Sequence, residues 1–272
     1  MIIFLHIPKT AGSTFQFILE NSFGVFACHT NHAKKPVFTQ SDLQFAQRVF
    51  PRLRSIAGHN LIDPLGLSAP DPFYMTFLRE PVARVISHYQ DSVLAGANRR
   101  SFEQTLAQED YVENLQVKLM AGGRNLDKAK VFLEKCGFVG LTEKFEHSLH
   151  VLERLSPFRL NLRYRRRRVS PDNTIKKSLL SDNRIVEMIT EHNKLDLELY
   201  SFAVREVFPR LCQKAGLRPT NDVASYDTYT SELKWKYLLC HAYNMLFYRQ
   251  LCKLRNRRQG RSDSTQVDLL RP

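Results

Sequence analysis

Residues 2–20 constrain the fold more than any other stretch of the chain. Residues 2–5 are wholly apolar, which predicts a short buried strand. Residues 15–20 have the apolar spacing of a helix start, and the segment between them is rich in small residues. A strand, a small-residue loop and a helix together bind phosphate, because the helix N-terminus presents unpaired N–H groups and a partial positive charge. We therefore predict a phosphate loop over residues 9–14.

The phosphate loop consists of Lys9, Thr10, Ala11, Gly12, Ser13 and Thr14. Its small residues let the backbone approach an anion, its hydroxyls donate hydrogen bonds, and Lys9 adds a mobile full charge. In the nucleoside triphosphate loop, a lysine directly precedes the serine or threonine that holds magnesium. Lys9 instead lies three residues before the glycine, which favours another phosphate ligand. The alternative is an ordinary strand-to-helix turn that contains a lysine.

A second anion-binding segment begins at Arg79. It follows the apolar run 72–78, a predicted strand, and Pro81 marks the first turn of a predicted helix. Open parallel sheets bind ligands at the carboxyl ends of their strands, and the Arg79 guanidinium can hold phosphate oxygens in pairs. Ser87 lies about a turn and a half into the helix, with its side chain tilted towards the helix start. Arg79 and Ser87 are therefore predicted to hold a second phosphate; the alternative is a surface arginine at a strand-helix junction.

Strands and helices alternate along the rest of the chain. Residues 54–60 and 137–141 are further predicted strands, and residues 28–42 are a predicted loop. Helices are predicted at 42–50, 81–95, 102–106, 111–120, 126–135, 144–155, 183–215 and 232–254. The alternation predicts an α/β fold, a single domain with a P-loop-like parallel sheet flanked by helices on both faces. The domain is expected to span residues 1–254, followed by a disordered basic and polar tail over 255–272.

Composition limits the partners and the compartment. The chain of 272 residues has a formal net charge of +13, which favours an anionic partner without identifying it. Its five cysteines are scattered without a C-x-x-C pair, which indicates free thiols in a reducing compartment. No apolar run approaches the roughly 20 residues that span a bilayer. If Met1 is the natural start, we expect a cytoplasmic protein without a transmembrane segment.

The two phosphate segments together resemble the cofactor signatures of sulfotransferases that use 3′-phosphoadenosine 5′-phosphosulfate (PAPS). The chain is most similar to the carbohydrate branch, which includes heparan sulfate 2-O-sulfotransferase and related bacterial proteins. Gly58-His59 and the segments 140–145 and 193–200 carry further similarity. The resemblance covers residues 2 to about 203, and residues beyond 215 match no family that we recognise.

The resemblance implies a reaction and a role for each site residue. The residues from Lys9 to Thr14 would bind the 5′-phosphosulfate. Lys9 would also be catalytic, because it would stabilise the bridging oxygen as the bond breaks. Arg79 and Ser87 would bind the 3′-phosphate. The reaction would be in-line transfer of a sulfuryl group to a carbohydrate-type hydroxyl, leaving adenosine 3′,5′-bisphosphate and requiring no metal. His59, which follows a glycine at a predicted strand end, would be the general base.

Other interpretations remain open at the level of sequence. Glu20 is a second candidate base, farther from the loop. His6 is expected to be structural and to face away from the loop, and Arg84 either supports the site or pairs with Glu80. A nucleotide kinase, or a protein that binds polyanions without catalysis, is the alternative function.

Two basic regions have no assigned role in this scheme. The run 163–168 is expected to be a solvated loop. The alternatives are that it closes over the nucleotide or holds an acidic acceptor, and Tyr164 within it permits a nucleic-acid interpretation. No recognition fold accompanies it, so nucleic acid is not expected. The aromatic helix at 232–254 is expected to pack across the sheet edge, with peripheral contact with an anionic membrane as a weaker alternative.

Overall fold

A five-stranded parallel sheet forms the centre of the computed structural model, which describes residues 1–50, 52–108, 113–164, 173–218, 224–226 and 234–258. The strands are β1 (Ile2–Leu5), β2 (Ala27–His29), β3 (Ser55–Gly58), β4 (Phe73–Leu78) and β5 (Phe138–Leu141). Their spatial order is β2-β3-β1-β4-β5, and every neighbouring pair is parallel. The α/β fold with a central parallel sheet flanked by helices is thereby confirmed.

The apolar character of the strands explains their position. All four residues of β1, β3 and β5 are buried, as expected of strands with neighbours on both faces. The prediction of a loop over residues 28–42 is wrong at both ends. β2 pairs with β3 at the sheet edge, and the next helix begins at Gln40. A three-residue strand is too short to show periodicity in sequence.

Seven helices accompany the strands up to residue 155. They are α1 (Gly12–Phe23), α2 (Gln40–Val49), α3 (Pro81–Leu94), α4 (Phe102–Gln108), α5 (Leu115–Ala121), α6 (Leu126–Lys135) and α7 (Phe145–Leu155). Local capping fixes several starts. A capping box between Thr39 and Asp42 begins α2, and the Glu80 carboxylate accepts from the amides of Val82 and Ala83 at the start of α3.

The predicted helix over 183–215 is three helices. They are α9 (Asn183–His192), α10 (Lys194–Phe202) and α11 (Phe208–Lys214), preceded by the unpredicted α8 (Thr174–Ser181). Asn193 leaves helical geometry between α9 and α10, and its side chain accepts from the Asn114 amide at 2.9 Å. A π-helical turn at Ala203–Val207 joins α10 to α11. The breaks follow from tertiary contacts, which apolar spacing does not reveal.

The chain described ends in one long helical segment, which we call the terminal helix. It consists of α12 (Lys234–Tyr243), a π-helical turn (Asn244–Tyr248) and α13 (Arg249–Arg258). Asn244 accepts from the His29 amide at 2.9 Å and donates to the Ala27 carbonyl at 2.9 Å, so the helix packs beside edge strand β2 as expected. It continues to Arg258, beyond the predicted end at 254, and residues 259–272 of the expected tail lie outside the described residues.

Two packing observations complete the architecture. One large apolar cluster extends from the sheet to the terminal helix, and a smaller one joins α3, α4 and α9. Within the residues that the structure describes, no helix is long and apolar enough to cross a lipid bilayer.

Candidate functional site

Three predicted site elements follow the carboxyl ends of three adjacent strands. His59 follows β3, the phosphate loop follows β1, and Arg79 follows β4. Because β1 lies between β3 and β4, the order across the sheet edge is His59, loop, Arg79. Neighbouring strands are about 4.8 Å apart, so His59 and Arg79 lie near the phosphate loop although they are distant from it in sequence. This edge is where open parallel sheets bind ligands.

The phosphate loop has an unusual backbone. Lys9 and Ala11 both have left-handed φ angles, 69° and 61°, which cost non-glycine residues roughly 1–3 kcal/mol each and concentrate at functional sites. The buried Thr10 hydroxyl donates to the Ile7 carbonyl at 2.8 Å and braces the loop from inside. Gly12 and Ser13 form the first turn of α1, whose amides have no acceptor within the helix. The loop therefore presents amides and Lys9 at a helix N-terminus.

His6 lies directly under the phosphate loop, so the prediction that it faces away is wrong. A Cβ atom added to Gly12 would lie 1.9 Å from Cδ2 of the His6 ring, a distance that no real contact tolerates. β1 ends at Leu5, and the side-chain alternation of a strand does not extend to the next residue. Gly12 is thus required by the buried imidazole beside it, in addition to the approach of an anion.

His59 is oriented by the backbone. Its Nδ1 lies 2.7 Å from the His6 carbonyl oxygen, and since a carbonyl can only accept, Nδ1 carries a proton. In the neutral form of the ring the lone pair is then on Nε2. The His59 amide donates to Asn31 Oδ1 at 2.9 Å, and the His59 ring centroid is 4.0 Å from that of His6. The half-buried imidazole therefore has the tautomer that a general base at Nε2 needs.

Glu20, the second candidate base, is linked to the loop through two side chains. Its carboxylate accepts from Gln16 Nε2 at 2.8 Å, and Gln16 Oε1 lies 3.3 Å from His6 Nδ1. Glu20 thus orients the amide of the buried Gln16, and Gln16 in turn contacts His6.

Lys9 pairs with a residue that the sequence did not indicate. Its Nζ lies 3.2 Å from Asp91 Oδ2 on α3, and the Asp91 side chain is 51% exposed. The Lys9 side chain is only 17% exposed, so solvent screens the attraction mainly on the Asp91 side of the pair. Nearby, burial and the charges of Arg84 and Lys9 lower the pKa of His88 to about 4, which keeps that imidazole neutral at pH 7.

Arg79 is fixed by a glutamine far along the chain. Gln116 accepts from the Arg79 amide at 3.1 Å and donates to the Arg79 carbonyl at 3.0 Å. The guanidinium donates from Nη1 to the Lys9 carbonyl at 3.0 Å, so Arg79 also ties the loop to β4. Burial lowers the Arg79 pKa, and the Glu143 and Glu80 carboxylates partly oppose that change. Ser87 is half-buried in the second turn of α3.

The two weaker sequence motifs, 140–145 and 193–200, contact the residues that surround Arg79. Glu143 accepts from the Glu80 amide at 3.1 Å and from the Tyr200 hydroxyl at 2.8 Å. Asp196 accepts from the amides at the start of α5, including that of Gln116 at 3.1 Å. The segments 140–145 and 193–200 therefore brace the element that positions Arg79.

Arg84 lies in this support as well. It is completely buried. Burial raises the pKa of Asp196, and the charge of Arg84 partly opposes that rise. The Glu80 carboxylate, the pairing partner considered from sequence, caps α3 instead of standing out from it. Asp196 thus joins α10 to the start of α5, with the Arg84 charge of α3 acting on the same carboxylate.

The basic run is described only at its start, because residues 165–168 lie outside the described residues. Tyr164 is buried, with its hydroxyl donating to Glu146 and its amide to the Tyr226 carbonyl at 3.1 Å. It is therefore not a surface ring on which a base could stack. In the part of the chain that the structure describes, no three His, Cys, Asp or Glu side chains are grouped to hold a metal ion.

Comparison with known proteins identifies a family for most of the chain. The model described as "Sulfotransferase family" matches residues 1–203 of the 272. That segment includes all five strands, the phosphate loop, His59 and Arg79, and ends before α11 and the terminal helix. No curated protein matches the chain.

Proposed function

Because the chain belongs to the sulfotransferase family, we propose that it transfers a sulfuryl group from PAPS to a hydroxyl of a carbohydrate-type acceptor by in-line displacement. The single observation that carries the proposal is the order of His59, the phosphate loop and Arg79 across three adjacent strand ends. In this proposal His59 is the base, the phosphate loop is the leaving-group site and Arg79 is the second phosphate site. No metal is needed in this scheme.

The donor would lie across the loop and Arg79. The amides of Gly12 and Ser13, with the hydroxyls of Ser13 and Thr14, hold the 5′-phosphosulfate at the N-terminus of α1. The remaining N–H groups of the Arg79 fork hold the 3′-phosphate, assisted by Ser87 on α3. An anion at this position compensates the dehydrated guanidinium, whose charge is disfavoured by burial.

Lys9 and His59 perform the chemistry in this scheme. Bound PAPS supplies the sulfuryl group, and adenosine 3′,5′-bisphosphate is the leaving group. Lys9 moves from Asp91 to the bridging oxygen, where it stabilises the negative charge that develops as the bond breaks. His59 accepts the acceptor's proton at Nε2, while its Nδ1–H stays bonded to the His6 carbonyl.

The acceptor side is less defined than the donor side. The net charge of +13 favours an anionic acceptor, and the family resemblance favours a sugar hydroxyl.

The five free cysteines are all buried, which supports a reducing compartment such as the cytoplasm. A nucleotide kinase is less favoured, because Lys9 does not directly precede a hydroxyl residue at the start of α1.

The experiment is transfer of ³⁵S from labelled PAPS to a panel of polysaccharides, glycolipids and small glycosides. We expect transfer by the unaltered protein and a loss of roughly 10²–10⁴-fold in His59→Gln, with binding of adenosine 3′,5′-bisphosphate retained. His192→Gln, at an exposed position of α9, is the matched control. Unchanged turnover in His59→Gln would remove His59 from the mechanism. Polyanion binding without transfer or bisphosphate binding would favour the non-catalytic alternative.

A further inference from the structure

The terminal helix carries most of the exposed large apolar side chains of the described residues. They are Trp235, Leu238, Leu239, Leu246, Phe247, Leu251 and Leu254, seven of the eleven in the whole described part. The other four lie singly on α3, α6, α8 and the turn after α10. Isolated exposed apolar side chains are normal, but a cluster of this kind marks an interaction surface.

On the terminal helix, both the buried and the exposed side chains recur at every fourth position. The residues facing the body follow at every fourth position: Cys240, Asn244, Tyr248, Cys252 and Asn256. In a pure α-helix of 3.6 residues per turn such a series would rotate around the axis, and the wider π turn at Asn244–Tyr248 counteracts that rotation.

Two exposed rows therefore keep a constant direction along the helix. They are Trp235, Leu239, Phe247 and Leu251 in one row, and Leu238, Leu246 and Leu254 in the other. The two rows are adjacent on the helix. Tyr243, which bonds to the body, interrupts the first row, and the exposed Gln250 interrupts the second. We call the seven exposed apolar side chains of the two rows the apolar stripe.

Hydrogen bonds prevent the helix from turning this stripe inward. Asn244 bonds to the edge strand, as described above. The Tyr243 hydroxyl donates to the Val49 carbonyl at 2.6 Å, and Asn256 Nδ2 donates to the Ala33 carbonyl at 3.0 Å. Arg255 pairs with the buried Asp42 at 2.7 Å. Contacts along most of its length thus fix which side of the helix is exposed.

The charge of the helix decides between the possible occupants of the stripe. Residues 234–258 contain seven lysines and arginines and no aspartate or glutamate. Arg249 and Lys253, which are half-buried, and the exposed Arg257 form a row at the next positions around the helix, beside the Leu238 row. A second copy of the chain would bring the same positive charge to a symmetric contact and be repelled. An anionic lipid surface offers both an apolar layer and negative charge.

We propose that the terminal helix docks the protein peripherally on an anionic membrane surface. The apolar stripe enters the boundary between headgroups and acyl chains, and the row of Arg249, Lys253 and Arg257 contacts lipid phosphates. This inference is independent of the proposed activity, because it rests on residues outside the matched family segment.

Trp235 is the single tryptophan of the chain and lies on the stripe, so its fluorescence reports docking directly. The experiment titrates the full-length protein with vesicles of phosphatidylcholine alone and of phosphatidylcholine mixed with phosphatidylserine, with sedimentation as a second readout. We expect a blue shift and co-sedimentation with the anionic vesicles, weakened by high salt. With neutral vesicles we expect a much smaller effect.

Two double variants separate the apolar contribution to vesicle binding from the contribution of charge. Leu246→Ser with Phe247→Ser, and separately Lys253→Glu with Arg257→Glu, should each weaken vesicle binding by about tenfold or more. Leu180→Ser on α8 removes an exposed leucine elsewhere and should leave binding unchanged. Absence of binding to anionic vesicles, or an equal response of control and stripe variants, would overturn the proposal. A blue shift that depends on protein concentration without vesicles, with a dimer in light scattering, would assign the stripe to a second copy instead.

Discussion

His6 determines two properties of the site at once. Its ring occupies the space beside Gly12, so any larger residue at position 12 meets an imidazole. Its carbonyl oxygen accepts from His59 Nδ1 and so selects the tautomer with the lone pair on Nε2. The first role belongs to the side chain and the second to the backbone, which allows them to be separated by substitution.

Gly12→Ala should destabilise the protein by about 1–3 kcal/mol through overpacking against His6. In a His6→Ala background the ring is absent, and the same substitution should cost much less. Chemical denaturation of the four proteins of this double-mutant cycle measures the coupling. An equal cost in both backgrounds would show that the ring is not what excludes a side chain at position 12.

Gln116→Ala should weaken binding of adenosine 3′,5′-bisphosphate by about tenfold and change binding of AMP little. The physical reason is that Gln116 holds both backbone polar groups of Arg79, the residue proposed for the 3′-phosphate. Isothermal titration with the two nucleotides checks this, with Gln213→Ala at an exposed position of α11 as control. Equal losses for both nucleotides would mean that Gln116 acts on the site as a whole.

The sequence indicated the charged residues of the candidate site but not the groups that orient them. Lys9 and Arg79 lie in motifs whose chemistry is local, so position and residue type suffice. Gln116 and Asp91 contact them from distant segments, and no spacing rule predicts such contacts. Gln116 had an indirect signal in the weak motif at 193–200. That motif contains Asp196, which caps α5, the helix that carries Gln116.

Among the elements, strands with continuous apolar sequence were predictable and short or broken elements were not. β1, β4 and β5 lie within a residue of their predicted bounds, because burial of these strands requires a continuous apolar sequence that is easily recognised. β2 has three residues, and the helix predicted over 183–215 is interrupted by an asparagine whose side chain bonds to α5's first flanking residue, Asn114. The first failure comes from the shortness of the strand, and the second comes from a tertiary hydrogen bond.

Asn244→Ala should loosen the terminal helix from the sheet edge. It removes the acceptor for the His29 amide and the donor to the Ala27 carbonyl, and buried groups left without partners cost about 1–3 kcal/mol each. Hydrogen exchange across residues 234–258 should accelerate, whereas Gln250→Ala, exposed in the same helix, should leave it unchanged. If exchange in the two variants were alike, Asn244 would not anchor the helix.

Over the whole molecule, three half-buried histidines predict sensitivity to acid. Burial is the main cause that lowers the pKa of His29 to about 3 and of His32 and His88 to about 4. The unfolded chain binds these protons near pH 6.5, so the stabilisation is complete above that pH and is lost as the pH falls from about 6.5 to about 4.

Urea denaturation at a series of pH values checks this expectation. The free energy of unfolding should fall steadily from pH 7 to pH 5, and His29→Gln should reduce the slope by removing one of the three titrations. His192→Gln, exposed on α9, should preserve it. A flat profile over this range would contradict the assignment of these histidines as neutral in the folded state.

Calorimetry with adenosine 3′,5′-bisphosphate, AMP and ATP determines whether one nucleotide spans the phosphate loop and Arg79, as we propose. We expect the bisphosphate to bind at least about tenfold more tightly than AMP, because a second phosphate meets the Arg79 fork. Lys9→Ala should abolish binding, and Arg79→Ala should reduce the affinity for the bisphosphate to that for AMP. Equal affinity for the bisphosphate and AMP in the unaltered protein, or tighter binding of ATP with magnesium, would rule out a 3′-phosphate site at Arg79.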